Sequence, residues 1–341
     1  MTRTAPIPLI DPFARRVKDL RVSITDRCNF RCAYCMPEEG MEWLPRSELL
    51  TYEEIGRVAR VCVERFGFEA IRLTGGEPLV RAHITRLVGH LAPLGVDLAL
   101  TTNGVKLPEL AHDLVAAGLR RVNISLDTLD RATFFALTKR DELERVLAGI
   151  DAALAAGLSP VKINAVVMRG INDAEVVDLA RFGRDKGVAM RFIEFMPLDA
   201  QSEWDRSRVV PAAEILAQID AVFPLVAADA PEAPGPDPAT VHRYQDGLGD
   251  VGVIPSVTEP FCESCDRVRL TAEGQFRTCL FALEEFDLRH ELRAGAGLEE
   301  PDLDDRLAAA IEAAVGTKWA GHHIGAADFV RPARSMSQIG G

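Results

Sequence analysis

The sequence predicts an α/β chain, in which six strand–helix units wind one parallel sheet and a smaller α+β region follows. Three observations carry this. Between residues 19 and 195, short apolar runs alternate with amphipathic stretches, the pattern of parallel strands joined by helical crossovers of one hand. Polar and glycine-containing motifs fall where those runs end, and parallel βα barrels place their chemistry at the C-terminal strand ends. After residue 200 the alternation stops, and short strands, a proline-rich stretch and a last helix take over. Six units are fewer than the eight of a closed barrel. The expected division is 12–225 for the barrel part and 226–341 for the C-terminal region.

The elements follow in order. Residues 20–24 read as the first strand and lead into a loop bearing cysteines. Thr51-Tyr52-Glu53-Glu54 is a capping box that opens a helix to about residue 66. Strands at 70–73, 97–100, 121–127, 161–167 and 190–195 continue the sheet, with helices near 108–117, 141–156 and 173–186. The strand at 70–73 runs into Thr74-Gly75-Gly76-Glu77-Pro78, and that at 97–100 into Thr101-Thr102-Asn103-Gly104. Beyond the barrel part, 211–223 is helical, and 227–239, rich in proline with small and acidic residues, reads as an exposed connection. Short strands around 251–254 and 267–271, a turn at Glu273-Gly274 and a helix at about 302–315 complete the chain. Leu303, Leu307 and Ile311 lie on one face of that helix.

Composition narrows the function classes. A chain of 341 residues has ample core for one large or two moderate domains. The net charge of −12 argues against general nucleic-acid or anionic-membrane binding, so an anionic ligand would need a local cationic pocket. No run reaches the ~18 apolar residues of a membrane span, and the first residues hold no apolar signal segment, so a cytoplasmic location is expected. Seven cysteines divide into two triplets and one single, a clustering unlike a disulfide framework. The single one, Cys62, shares a helical face with Ile55, Ala59 and Phe66 and reads as a buried small hydrophobe.

The first triplet is Cys28-x3-Cys32-x2-Cys35. Thiolates are soft ligands that favour iron–sulfur clusters, zinc or copper(I). Three ligands leave a cubane one open iron, whereas a closed zinc site wants four; a zinc site with its fourth ligand elsewhere stays open as an alternative. With Tyr34 just before the last cysteine, the stretch resembles the signature of the radical S-adenosylmethionine enzymes. The resemblance implies a partial (β/α)6 TIM-like barrel and a [4Fe-4S] cluster whose open iron holds S-adenosyl-L-methionine. Gly75-Gly76-Glu77 is then similar to the family motif whose backbone meets the methionyl group. Tyr34, Gly76, Ser125 and Met196 are the expected cofactor-binding residues. On its own, a glycine pair at a strand end reads as a tight turn or as a place where a ligand approaches the backbone.

The second triplet, Cys262-x2-Cys265-x13-Cys279, suggests half a zinc ribbon or a cluster. Arg267 and Arg269 alternate along a strand and share a face, which suits an anion or a nucleotide base beside an open metal position. Both triplets, this Arg-x-Arg and the terminal Gly340-Gly341 together resemble the GTP 3′,8-cyclase family, which performs the first step of molybdenum cofactor biosynthesis. The resemblance covers essentially the whole chain. It implies a second [4Fe-4S] cluster on Cys262, Cys265 and Cys279 in the C-terminal α+β region. It further implies GTP contacts from Arg21, Arg72, Thr101, Lys162, Arg191, Arg267 and Arg269, with the cations expected at strand C-terminal ends around one mouth. Arg267, Arg269, Gly340 and Gly341 are the expected catalytic residues, the glycine tail threading the site. Where the family often has a lysine, this chain has Ala70. A flavodoxin- or ferredoxin-like electron donor and hand-off to cyclic pyranopterin monophosphate synthase are the expected partners, for a monomer or homodimer. Rival readings are a peptide-modifying radical enzyme and a zinc-binding interaction module.

Overall fold

The computed structural model describes residues 5–199, 203–227, 238–295 and 297–340. Twelve strands form one sheet: β1 Asp19–Ser23, β2 Ala70–Thr74, β3 Asp97–Thr102, β4 Arg121–Ser125, β5 Val161–Val167, β6 Ala189–Glu194, β7 Leu225–Ala227, β8 Thr240–Tyr244, β9 Asp250–Ile254, β10 Arg267–Leu270, β11 Gln275–Arg277 and β12 Phe286–Asp287. Their order is β12-β11-β10-β1-β2-β3-β4-β5-β6-β9-β8-β7. The six expected strands are consecutive and parallel. The C-terminal region does not form a sheet of its own: β10 pairs parallel with β1 and β9 parallel with β6. The parallel run is therefore extended at both edges by strands remote in sequence, an open barrel flanked by antiparallel ribbons.

Period-two alternation gives the sheet its two faces. In β5, Val161, Ile163, Ala165 and Val167 are buried, while Lys162, Asn164 and Val166 alternate with them and line the lumen. Helices cover the outer face: α1 Tyr52–Phe66, α2 Ile84–Leu91, α3 Leu107–Ala116, α4 Arg131–Thr138, α5 Leu143–Ala155, α6 Val176–Lys186 and α7 Ala212–Asp220. The capping box at Thr51 and Glu54 forms as the pattern predicts, and α1 ends on Gly67 in the left-handed region. Cys62 is fully buried on the inner face of α1. The sequence pattern missed α2 and α4, each only eight residues long, too short for a helical period to stand out.

The remaining helices are α8 Leu288–Ala294, α9 Glu300–Val315 and α10 Met336–Ile339. Helix α9 turns Leu303, Leu307 and Ile311 inward and lies on α1, where Arg57 and Arg60 both reach Asp304, at 2.9 and 2.8 Å. The expected turn at Gly274 joins β10 to β11, with a Gly274 N–H bond to Thr271 O. Most of the proline-rich connection and Gly341 fall outside the described residues.

Candidate functional site

The loop after β1 carries Cys28, Cys32 and Cys35 across the C-terminal end of the barrel. A turn closes it, with the N–H groups of Cys35 and Met36 on Cys32 O at 2.8 and 2.9 Å. Phe30 N–H points at Cys28 Sγ, 3.3 Å away. Tyr34 ties the loop to the sheet: its hydroxyl donates to Asp127 at 2.5 Å, and Asp127 accepts from Val166 N–H at 2.8 Å.

The glycine pair acts on the same loop. Gly76 N–H donates to Thr25 O at 2.7 Å, and Glu77 N–H to Arg27 O at 2.8 Å. A Cβ on Gly76 would stand 2.4 Å from Arg27 O and 2.5 Å from Asp26 O. The close approach that the glycine permits is thus first of all to the cysteine loop's own backbone. Glu77, buried in the same turn, accepts from Thr102 Oγ1 at 2.7 Å, Asn103 N–H at 2.7 Å and Leu79 N–H at 2.9 Å. Burial pushes its carboxyl up to about 7 against those donors.

The second triplet closes the opposite end. Cys262 and Cys265 precede β10, which runs parallel to β1, so they lie at the N-terminal strand ends. Cys279 follows β11, antiparallel to β10, and so returns to that end. Phe281 N–H points at Cys279 Sγ, 3.4 Å away. Gly321 passes Cys262 so closely that a Cβ would stand 2.7 Å from the cysteine Cβ.

The cysteines suit iron–sulfur groups. Burial pushes the Cys28 and Cys35 thiols up to about 12 and raises Cys262; a bound metal supplies the positive charge against which such thiols ionise. The backbone donors on Cys28 and Cys279 are of the kind that tune clusters. Among the described residues no three His, Cys, Asp or Glu side chains are gathered tightly enough for one metal ion. A four-iron cluster takes each thiolate on a separate iron, so its ligands stand wider apart than those of a single ion.

Between the triplets lies one cavity of about 680 Å³, lined by all six cysteines and by Arg21, Arg72, Thr101, Lys162, Arg191, Arg267 and Arg269. Tyr34, Gly76, Ser125 and Met196 line it too. The cations do not stand at the strand C-terminal ends, as the sequence suggested. Arg21 and Arg72 are mid-strand, opposite each other and beside Arg269, and Lys162 is the second residue of β5. Loops fill the C-terminal end, so inward positions lower on the strands face the open lumen. Arg191 stretches over Gly252, where a Cβ would meet its Cδ at 2.6 Å, and pairs with Asp250 at 2.8 Å. Arg269 donates to Gly340 O, which brings the C-terminal tail to the same row of cations.

One carboxylate serves two of these arginines. Asp19 lies 3.7 Å from both Arg21 and Arg267. Burial first, then Arg267 and Arg72, hold Arg21 well below its ordinary value; burial and Arg267 bring Arg269 down to about 10. The buried Nε atoms of Arg21, Arg72 and Arg191 have no hydrogen-bond partner among the described residues. Crowded, desolvated guanidiniums with unmet donors have the chemistry that suits a polyanion. Sequence reasoning missed Asp127 and the bonding of Glu77, although both sit in polar motifs at strand ends that were read for other residues. Ala70 also lines the lumen beside Lys18, whose Nζ is on Glu69 at 2.6 Å.

A parallel open barrel with a three-cysteine loop after its first strand defines a radical S-adenosylmethionine protein, and the Radical SAM superfamily profile matches residues 22–183. A second profile, Molybdenum Cofactor Synthesis C, matches residues 188–324. The GTP 3′,8-cyclase of Mycobacterium sp. (strain KMS) is 51% identical over 98% of this chain and 94% of its own length. That of Rhodopirellula baltica is 47% identical over 99% and 93%. The chain belongs to the GTP 3′,8-cyclase family. Among solved structures, Streptococcus suis SuiB bound to S-adenosylmethionine shares the fold, with a TM-score of 0.59, 14% identity, and coverage of 90% of this chain and 68% of that one. The same protein bound to its precursor peptide SuiA gives a TM-score of 0.59 at 13% identity, covering 80% of this chain and 60% of that chain's length.

Proposed function

We propose that this chain cyclises GTP to (8S)-3′,8-cyclo-7,8-dihydroguanosine 5′-triphosphate, a lyase reaction that joins C3′ to C8 and opens molybdenum cofactor biosynthesis. The observation that carries this reading is the pair of cysteine triplets at opposite ends of one cation-lined lumen. When bound, [4Fe-4S] clusters on the two triplets and S-adenosyl-L-methionine at the first would supply a 5′-deoxyadenosyl radical and an open iron for the guanine edge.

The chain's own residues bind and orient. Arg21, Arg72, Lys162, Arg267 and Arg269 offer several cations in a low-dielectric wall to the triphosphate, which carries about four negative charges and is concentrated there despite the acidic surface. Arg191 is braced by Asp250, so it presents a fixed guanidinium edge. Thr101 faces the same lumen from β3. Tyr34, Gly76, Ser125 and Met196, which all line the cavity, would hold S-adenosyl-L-methionine. Arg269 holds Gly340 at the substrate row, and the tail with Gly341 helps exclude water. Either Arg267 or Arg269 assists reduction of the aminyl radical left on the base after ring closure.

Residues 12–225 would act as the radical core and 226–341 as the auxiliary-cluster and substrate region. A flavodoxin- or ferredoxin-like donor would supply electrons, and the product would pass to cyclic pyranopterin monophosphate synthase in the cytoplasm. Anaerobic incubation with reductant, S-adenosyl-L-methionine and either GTP or ATP tests the reading. The expected result is a product of GTP mass from GTP alone, with deuterium transferred from C3′ to 5′-deoxyadenosine. Deoxyadenosine formation indifferent to GTP would overturn it.

A further inference from the structure

Two buried cations outside the substrate row grip the backbone around the C-terminal triplet. Arg15 precedes the barrel and is paired with Asp11 at 2.6 Å. Its Nη1 donates to Cys262 O and Ala320 O, each at 2.6 Å, and its Nη2 to Trp319 O. Lys318, 3% exposed, follows α9. Its Nζ donates to Arg267 O at 2.8 Å and Thr278 O at 2.5 Å, and stands 3.9 Å from Cys265 Sγ. Each cysteine of the triplet is thus within two residues of a carbonyl held by one of these cations. The segment 318–320 links them, since it supplies Lys318 itself and two carbonyls to Arg15.

Lys318 has no carboxylate within ion-pair distance among the described residues. A buried ammonium is costly unless an anion or strong dipoles compensate it. Two carbonyl dipoles meet part of that need, and the remaining neighbour is a sulfur. An ammonium is a compact charge with three donors, matched here to three acceptors.

We propose that Lys318 and Arg15 are positioning residues for the second triplet. They set its thiols before an iron–sulfur group is loaded, and Lys318 places a buried positive charge beside that group. This rests on the reading above that the triplet holds a cluster. A cation beside a thiolate-bound cluster favours its more negative, reduced form and so raises its reduction potential.

The test uses the full chain with Cys28, Cys32 and Cys35 replaced by alanine, so that iron reports the C-terminal triplet alone. Iron per chain, the rate at which a chelator removes it, and the midpoint potential by electron paramagnetic resonance are measured. In Lys318→Met, iron is expected to be lost about tenfold faster, the usual scale for outer partners of metal ligands, and the potential to move negative. Lys318→Arg restores the charge and should return the potential toward the parent, with retention still weakened because the longer, planar guanidinium does not fit a pocket that gathers two carbonyls and a sulfur around one ammonium nitrogen. Parental retention and potential in Lys318→Met would overturn the proposal. If circular dichroism shows Lys318→Met to be misfolded, Arg15→Met is read instead, with faster iron loss expected and parental retention overturning. A parent chain that holds no iron–sulfur signal would overturn the reading of the triplet itself, and the clamp with it.

Discussion

The cysteine loop leaves no room for a side chain at Gly76. Replacing it with alanine sets a methyl 2.4 Å from Arg27 O and 2.5 Å from Asp26 O, where ordinary contact begins at 3.4 Å. Both obstacles are backbone, so no rotamer relieves them, and the loop must recede by about 1 Å, with an overpacking cost of about 1–3 kcal/mol. That movement also stretches the bonds from Gly76 N–H to Thr25 O and from Glu77 N–H to Arg27 O, each worth about 1 kcal/mol. The sum, about 3–5 kcal/mol, is a large part of the ~5–15 kcal/mol by which such domains are stable. Cys28 follows Arg27 directly, so the same shift misplaces the first thiol. In a chain whose Cys262, Cys265 and Cys279 are serine, Gly76→Ala is therefore expected to melt earlier and to take up markedly less iron on anaerobic reconstitution. Gly89→Ala, in α2 with nothing within 4 Å of the new methyl, should do neither. Gly76→Ala with unchanged melting and iron content would refute the steric reasoning.

Three further outcomes are expected. Arg72→Met removes a buried guanidinium from the row and should weaken GTP binding about tenfold to a hundredfold by calorimetry, with iron content unchanged; unaltered affinity would remove Arg72 from the substrate site. Deleting Gly340 and Gly341 should abolish cyclisation while both triplets load iron normally; retained turnover would show the tail to be dispensable. Glu77, raised by burial to about 7, binds its proton more tightly folded than unfolded. Its contribution to stability is therefore greatest below about pH 4.5, falls as pH rises toward about 7, and is level above that. In urea titrations of the metal-free chain, the stability of wild type relative to Glu77→Gln should decline across that window. A flat difference would show that the three donors cancel the effect of burial, and would refute a raised carboxyl.

Much of this was legible along the chain. The alternation of apolar runs and amphipathic stretches is local, and six parallel strands follow from it because the side-chain period of a strand needs no tertiary partner. The cysteine spacings and the Thr51 capping box are local in the same way. Alternation also shows that Lys162 faces away from Val161 and Ile163. It does not show how high in the lumen Lys162 stands, which depends on register with Asn123 and Ala189 on neighbouring strands.

What only the tertiary structure decided is the meeting of distant segments. Pairing of residues 267–270 with residues 19–22 sets the second triplet at the far end of the lumen from the first. Arg15 meeting Cys262, and Gly76 meeting Arg27, are contacts of the same kind. No periodicity records such pairings, because they are chosen by how helices and sheet close around one core and not by the residues on either side in the chain.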